Sequence, residues 1–73
     1  MKIADLVSKP GRASSWKSVR HDDRLHIYHY ATMMAIVEDG TLLQVSEGWG
    51  SMSDKCGMAK LRHGARLAGL EVG

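Results

Sequence analysis

The alternation of hydrophobic and polar positions predicts short strands in the first two thirds of the chain. Residues 16–20 alternate in the way that a short strand does. The longest largely apolar run extends from Leu25 to Val37, and its first half is rich in residues that favour strands. Asp39-Gly40 separates this run from residues 41–45, and a DG pair between apolar runs is a strong signal for a tight hairpin. We therefore predict antiparallel strands joined at Asp39-Gly40.

Three segments allow other assignments. Residues 25–38 also carry apolar side chains at helical spacing, so a helix is the alternative to a strand there. Residues 3–8 suit either a short helix or an edge strand, and Pro10-Gly11 ends whatever precedes it. Residues 11–15 are interpreted as a loop.

A helix is predicted after Gly48-Trp49-Gly50, which breaks the last strand. Ser51 and Asp54 match a capping box, in which each side chain bonds the backbone N–H of the other residue. The helix should begin near residue 52 and end near residue 63, or near 68 if Gly64 does not end it. One side of this helix carries mostly small residues and can approach a sheet closely. That side consists of Gly57, Met58, Leu61, Gly64, Ala65 and Ala68.

The order of elements, with strands first and a helix last, predicts the fold class. We expect an α+β domain in which a small antiparallel β-meander carries the helix on one face. One domain is expected, because 73 residues are too few for two. In that domain residues 1–15 form an N-terminal arm or short helix, residues 16–47 the antiparallel strands and residues 51–68 the helix.

Two segments on either side of the predicted hairpin form a recognisable motif. Tyr30-x-Thr32 precedes the hairpin, and Gly48-Trp49-Gly50-Ser51-x-Ser53-Asp54-x-x-Gly57-Met58 follows it. Over roughly residues 26–70 this pattern resembles a family of small uncharacterised proteins from phages of actinobacteria. The resemblance implies a phage origin and carries no catalytic assignment.

The composition excludes several classes of protein. With 44% hydrophobic and 25% charged residues, the chain is typical of globular domains rather than disordered ones. No apolar run approaches the length of a membrane helix, and the N-terminus lacks the apolar stretch of a signal peptide. The single cysteine, Cys56, cannot form an internal disulfide, which favours a reducing, cytoplasmic setting.

The net charge of +2 is unevenly distributed. Residues 1–24 hold six basic and three acidic side chains, residues 25–54 hold four acidic and no Lys or Arg, and residues 55–73 hold four basic and one acidic. Two basic ends therefore flank an acidic middle. This arrangement favours either a fold that pairs its ends with its middle or a basic surface that faces phosphates or an acidic protein.

Signals for metal binding and catalysis are weak. His26 and His29 form H-x-x-H, but residues three apart in a strand point to opposite faces. Cys56 and His63 share a helix side at a Cα separation of roughly 10 Å, which is too far for easy co-ligation. Ser, His and Asp are present without a nucleophile elbow. At the predicted helix N-terminus, Asp54 would itself occupy the site of an anion. We expect no metal, no cofactor and no enzyme activity.

The predicted strand over residues 25–37 is the first candidate binding surface. Both of its faces are largely apolar, and one helix cannot cover both sides of such a sheet. One face must therefore meet the N-terminal residues, a second copy or a partner protein. The run contains no Lys or Pro to discourage edge pairing, so we also predict a homodimer built on it. The interface candidates are Trp16, His26, Tyr28, Tyr30, Met34 and Ile36.

The basic residues are the second candidate surface, and no recognised DNA- or RNA-binding motif accompanies them. This set consists of Arg12, Lys17, Arg20, Arg24, Lys55, Arg62 and Arg66. Our leading prediction is a non-enzymatic phage accessory protein that binds a host or phage protein in the host cytoplasm. The alternative is a small basic nucleic-acid-binding protein, whose affinity would fall steeply with salt.

Overall fold

Six short strands form a single sheet in which each strand lies beside its neighbour in sequence. The computed structural model describes all 73 residues. The strands are β1 (Gly11–Ala13), β2 (Trp16–His21), β3 (Arg24–His29), β4 (Thr32–Glu38), β5 (Thr41–Gln44) and β6 (Glu71–Val72). All neighbouring pairs are antiparallel except β5 and β6, which run parallel. A 3-10 helix (Ile3–Val7) and α1 (Met52–Leu67) cover one face, so the predicted α+β fold with a helix on one side is confirmed.

Tight turns with left-handed residues connect the first five strands. The predicted turn at Asp39-Gly40 is confirmed, with φ angles of 50° and 73°. Ser14 and Asp22 occupy the two earlier turns with a φ of 59° each. Tyr30 turns the chain between β3 and β4 at a φ of 55°, which is uncommon for a bulky side chain.

The prediction of one continuous strand from Leu25 to Val37 is wrong, as is its helical alternative. The turn at Tyr30 divides the run into β3 and β4, which pair with each other. The sequence conceals this turn because neither Tyr30 nor Ala31 is a usual turn residue. Both strands have neighbours on both sides, so a dimer formed by pairing a free edge of this segment is excluded.

The helix and the N-terminal segment follow the sequence more closely. The capping box is present: Ser51 Oγ accepts from the Asp54 N–H at 3.1 Å, and Asp54 Oδ2 accepts from the Ser51 N–H at 3.3 Å. The predicted small-residue side of α1 is buried except for Ala68, which follows the helix and is exposed. Residues 3–8 adopt the short helical alternative, whereas the predicted loop at residues 11–15 contains β1.

The core lies between the sheet and the two helices. Trp16, Ile27 and Leu42 come from the sheet, Leu6 from the 3-10 helix and Leu61 from α1. The N-terminal residues thus cover the same face as α1 and leave the other face of the sheet without a covering layer. Neither helix combines the length and apolarity that crossing a membrane requires.

Candidate functional site

An apolar row crosses the face of the sheet that no helix covers. It consists of Val19, His26, Ile36 and Leu43, which pair in turn across β2, β3, β4 and β5. Val19 is 45% exposed and Leu43 37%, whereas the two central residues are half-buried by their neighbours. We call this surface, with the two rows described next, the outer sheet face.

An aromatic row and a charged row lie on either side of the apolar row. In the aromatic row, Tyr28 pairs with Lys17 on one side and Met33 on the other, and the Lys17 ammonium lies 5.3 Å from the ring centroid. In the charged row, Arg24 of β3 forms a 3.6 Å ion pair with Glu38 of β4. The outer sheet face therefore changes from aromatic through apolar to charged along the strand direction.

His26 places a polar atom in the middle of the apolar row. Its Nε2 is buried without a hydrogen-bond partner. The His21 ring packs edge-on against it, with the centroids 5.0 Å apart. An imidazole so enclosed contributes to the apolar row mainly through its ring.

A buried hydrogen-bond network lies on the inner side of the sheet, where β3 ends. Asp54 Oδ1 is 2.5 Å from His29 Nδ1, and both side chains are almost completely buried. Asp54 Oδ2 accepts from the Trp49 N–H at 3.0 Å as well as from the backbone and hydroxyl of Ser51. On the far side of the ring, His29 Nε2 is 2.8 Å from Ser15 Oγ and 3.3 Å from Ser53 Oγ.

These contacts define the charge state of Asp54 and the tautomer of His29. The hydrogen bond from His29 is the main cause that lowers the pKa of Asp54; those from Ser51 and Trp49 add to it, while burial opposes the shift. An ionised carboxylate only accepts, so His29 Nδ1 carries a proton and donates to it. In the neutral form of this tautomer, Nε2 is the ring nitrogen that can accept a hydrogen bond from the Ser15 hydroxyl, 2.8 Å away.

Ser15, His29 and Asp54 contact one another in the same succession as the serine, histidine and carboxylate of a catalytic triad. Here the His29 ring is 4% exposed and stacks on Trp16, with the centroids 4.4 Å apart and the planes within 8°. The ring is thus enclosed by a core side chain and two hydroxyls, while Asp54 also caps α1. The network joins the β1–β2 turn, the end of β3 and the start of the helix.

Three large, exposed apolar side chains belong to residues that contact this network or adjoin it in sequence. Tyr30 is 73% exposed, Trp49 92% and Met52 73%. The Tyr30 ring lies 4.6 Å from the His29 ring, the Trp49 N–H bonds Asp54, and Met52 precedes Ser53. We call Tyr30, Trp49 and Met52 the end patch, because they lie beyond one end of the central strands. Of these three residues, only Tyr30 was among the predicted interface candidates, and the S-x-x-D capping motif beside Trp49 was the available signal for the other two.

An open cavity of about 420 Å³ lies between α1, the loop that precedes it and the adjacent strands β4 and β5. It is lined by both acidic and basic side chains, and the Arg62 guanidinium donates to Gln44 in its wall. Its lining is Met34, Gln44, Glu47, Gly50, Asp54, Lys55, Met58 and Arg62. The mixture of charges gives this cavity no preference for a ligand of one sign.

The structure separates the predicted interface residues. His26, Tyr28 and Ile36 lie on the outer sheet face, and Tyr30 belongs to the end patch. The prediction that Trp16 and Met34 belong to an interface is wrong, because both are buried in the core: Trp16 is 2% exposed and Met34 0%. Met34 lies on the inner side of the sheet because the register of β3 and β4 shifts between Ile27 and Tyr28. As a result Tyr28 pairs with Met33 and not with Met34.

The predicted basic residues come from four elements of the fold, β1, β2, β3 and α1. Arg12 and Lys17 lie opposite each other on the neighbouring strands β1 and β2, and Arg24 forms an ion pair with Glu38. The others lie at the end of β2 and along α1: Arg20, Lys55, Arg62 and Arg66. Lys55 and Arg62 line the same cavity beside α1, whereas Arg12 and Lys17 are neighbours across β1 and β2.

No protein-family model, curated protein or solved structure matches this chain. The resemblance to small phage proteins therefore stays a prediction from the motif. What can be said of the function rests on the two surfaces described above.

Proposed function

We propose that this protein acts by binding another protein, and that the end patch is the contact surface. The observation that carries the proposal is Trp49, whose side chain is 92% exposed although its backbone is held by Asp54 at 3.0 Å. Trp and Tyr dominate the binding energy of protein interfaces, and Met is enriched there. An anchored backbone reduces the entropy lost when such a side chain is ordered by a partner.

The partner we propose is a host or phage protein with an apolar pocket that accepts the indole ring. Tyr30 and Met52, each 73% exposed, would pack around that anchor and exclude water. We further propose that the protein works in the host cytoplasm, since its only cysteine is an exposed free thiol, which suits a reducing compartment.

Nucleic-acid binding is the less favoured function. Of the candidate cations, Arg24 is engaged by Glu38 and Arg62 by Gln44, and the remaining ones are divided between β1, β2 and α1. The end patch itself contains no Lys or Arg, so its aromatic groups lack the adjacent positive charge that a single-stranded nucleic-acid groove provides.

The test is affinity capture from lysate of the bacterial host, with identification of retained proteins by mass spectrometry. We expect a specific protein retained by the wild type and by Leu67→Ala, which removes a 76% exposed apolar side chain at the far end of α1. Trp49→Ala should lose that protein while keeping the wild-type melting temperature. Equal capture by Trp49→Ala would contradict the proposal. Salt-sensitive retention of the wild type on duplex DNA, without protein capture, would favour the alternative.

A further inference from the structure

We infer that the outer sheet face is closed by a second copy of the same chain, with a two-fold axis parallel to the strands between β3 and β4. The outer sheet face is a different surface from the end patch, so a dimer formed through it would be a property beyond the proposed function. Its apolar row contains Val19, Ile36 and Leu43, and both helices lie on the opposite side of the sheet.

A sheet is a suitable cover for such a face. Two sheets pack face to face about 10 Å apart, with strand directions within about 30° of each other. A second copy has the same face. The direction of the two-fold axis determines whether each row meets the same row of the second copy or a different one. The direction of the axis therefore decides whether the surfaces are complementary.

An axis parallel to the strands keeps the direction along them and exchanges their order. β3 then lies over β4 of the second copy, and the apolar row lies over the apolar row. In this arrangement Val19 meets Leu43, and His26 meets Ile36. An axis perpendicular to the strands would instead invert the rows and bury the Arg24–Glu38 pair against Tyr28 and Met33, at a large desolvation cost.

The charged row is complementary to itself only under the parallel axis. Arg24 lies on β3 and Glu38 on β4, each one residue beyond the register pair Leu25–Val37, and their side chains form an ion pair. Exchange of the strand order places Arg24 over Glu38 of the second copy and Glu38 over its Arg24. Two ion pairs within the chains thereby become a cluster of four alternating charges at the rim of the interface.

The aromatic row is complementary under the same axis. Tyr28 lies over Met33 of the second copy, and a thioether sulfur against an aromatic ring is a favourable contact. An interface of ordinary size buries about 800 Å² per partner, close to a fifth of the 4499 Å² accessible surface of this protein. The molecule measures 28 × 22 × 20 Å, so one broad face has an area of this order.

The first experiment is sedimentation equilibrium across the micromolar range. We expect the wild type at 16 kDa, twice the 8.0 kDa of one chain. Ile36→Lys places a charge in the apolar row and should give a folded monomer, whereas Leu67→Lys, the same kind of change on α1, should stay dimeric. Circular dichroism verifies that both variants are folded. A wild type that remains at 8.0 kDa, or a folded dimeric Ile36→Lys, would overturn the inference.

The second experiment tests the direction of the axis through charge reversal. Arg24→Glu makes the charged row acidic and Glu38→Arg makes it basic, so each variant alone should dimerise at least about tenfold more weakly than the wild type. An equimolar mixture of the two should form a heterodimer, because every contact between the copies then joins opposite charges. If the mixture is no more associated than the separate variants, the parallel axis is wrong.

Discussion

Asp54 serves two structural purposes with one carboxylate. Its Oδ2 caps the first turn of α1, and its Oδ1 fixes the tautomer of His29 in the core. Because the pKa of Asp54 is lower in the folded state than in the unfolded state, its contribution to stability is fully present above the unfolded pKa, near 3.8. It is lost as the pH falls through the folded pKa.

We predict that Asp54→Asn destabilises the protein most at neutral pH. The difference in unfolding free energy between wild type and variant should shrink as the solution is acidified, since the wild-type carboxylate is then also neutral. Urea unfolding at a series of pH values measures this. The control is Asp23→Asn, which removes an exposed carboxylate from a turn and should leave stability nearly unchanged. A pH-independent loss in Asp54→Asn would show that ionisation of Asp54 contributes nothing.

Gly57 is required because of its missing side chain. A Cβ at this position would lie 2.0 Å from the Trp16 ring, which itself stacks on His29. We predict that Gly57→Ala lowers the unfolding free energy by about 1–3 kcal/mol through overpacking, despite the higher helix propensity of Ala. Ala59→Gly, at an exposed position of α1, calibrates the propensity and should cost about 1 kcal/mol. A Gly57→Ala variant more stable than wild type would mean that α1 can move away from the sheet.

At the scale of elements, local chemistry determines where α1 begins. Ser51 accepts the Asp54 N–H at 3.1 Å, as its position in the capping box predicts. Ser51→Ala should cost about 1 kcal/mol of stability, and Ser51→Asn should retain most of it, because Asn is an equally good N-cap. Thermal unfolding followed by circular dichroism compares the two variants. A Ser51→Ala variant as stable as the wild type would indicate that the cap contributes little.

The elements with local signals were predictable, and those without them were not. The DG turn and the capping box are each encoded within at most four consecutive residues. The hairpin and the start of α1 were therefore predicted correctly from the sequence. The turn at Tyr30 depends on pairing between β3 and β4 and on the register shift at Tyr28, neither of which leaves a local mark. His29 and Asp54 are 25 positions apart, so their contact could not be inferred from spacing.

At the scale of the whole molecule, the covering layer is shared between α1 and the N-terminal 3-10 helix. Leu6 is fully buried and belongs to the same core as Leu61 of α1. We predict that Leu6→Ala costs about 2–5 kcal/mol, a large part of the stability of so small a domain. Leu67→Ala, the same change at a 76% exposed site, should cost under about 0.5 kcal/mol. Denaturant unfolding distinguishes them, and equal effects would mean that the N-terminal helix is dispensable.

The position of the end patch beyond one end of the strands has a consequence for avidity. A two-fold axis parallel to the strands preserves the strand direction, so both end patches of the inferred dimer point the same way. The Trp49 side chains of both copies would then be exposed on the same side of the dimer. A partner with repeated or symmetric sites, such as an oligomer or a filament, would be held at both sites with an effective concentration that can reach the millimolar range. A monomeric partner would gain nothing, so such a dimer would favour assembled targets over their free subunits.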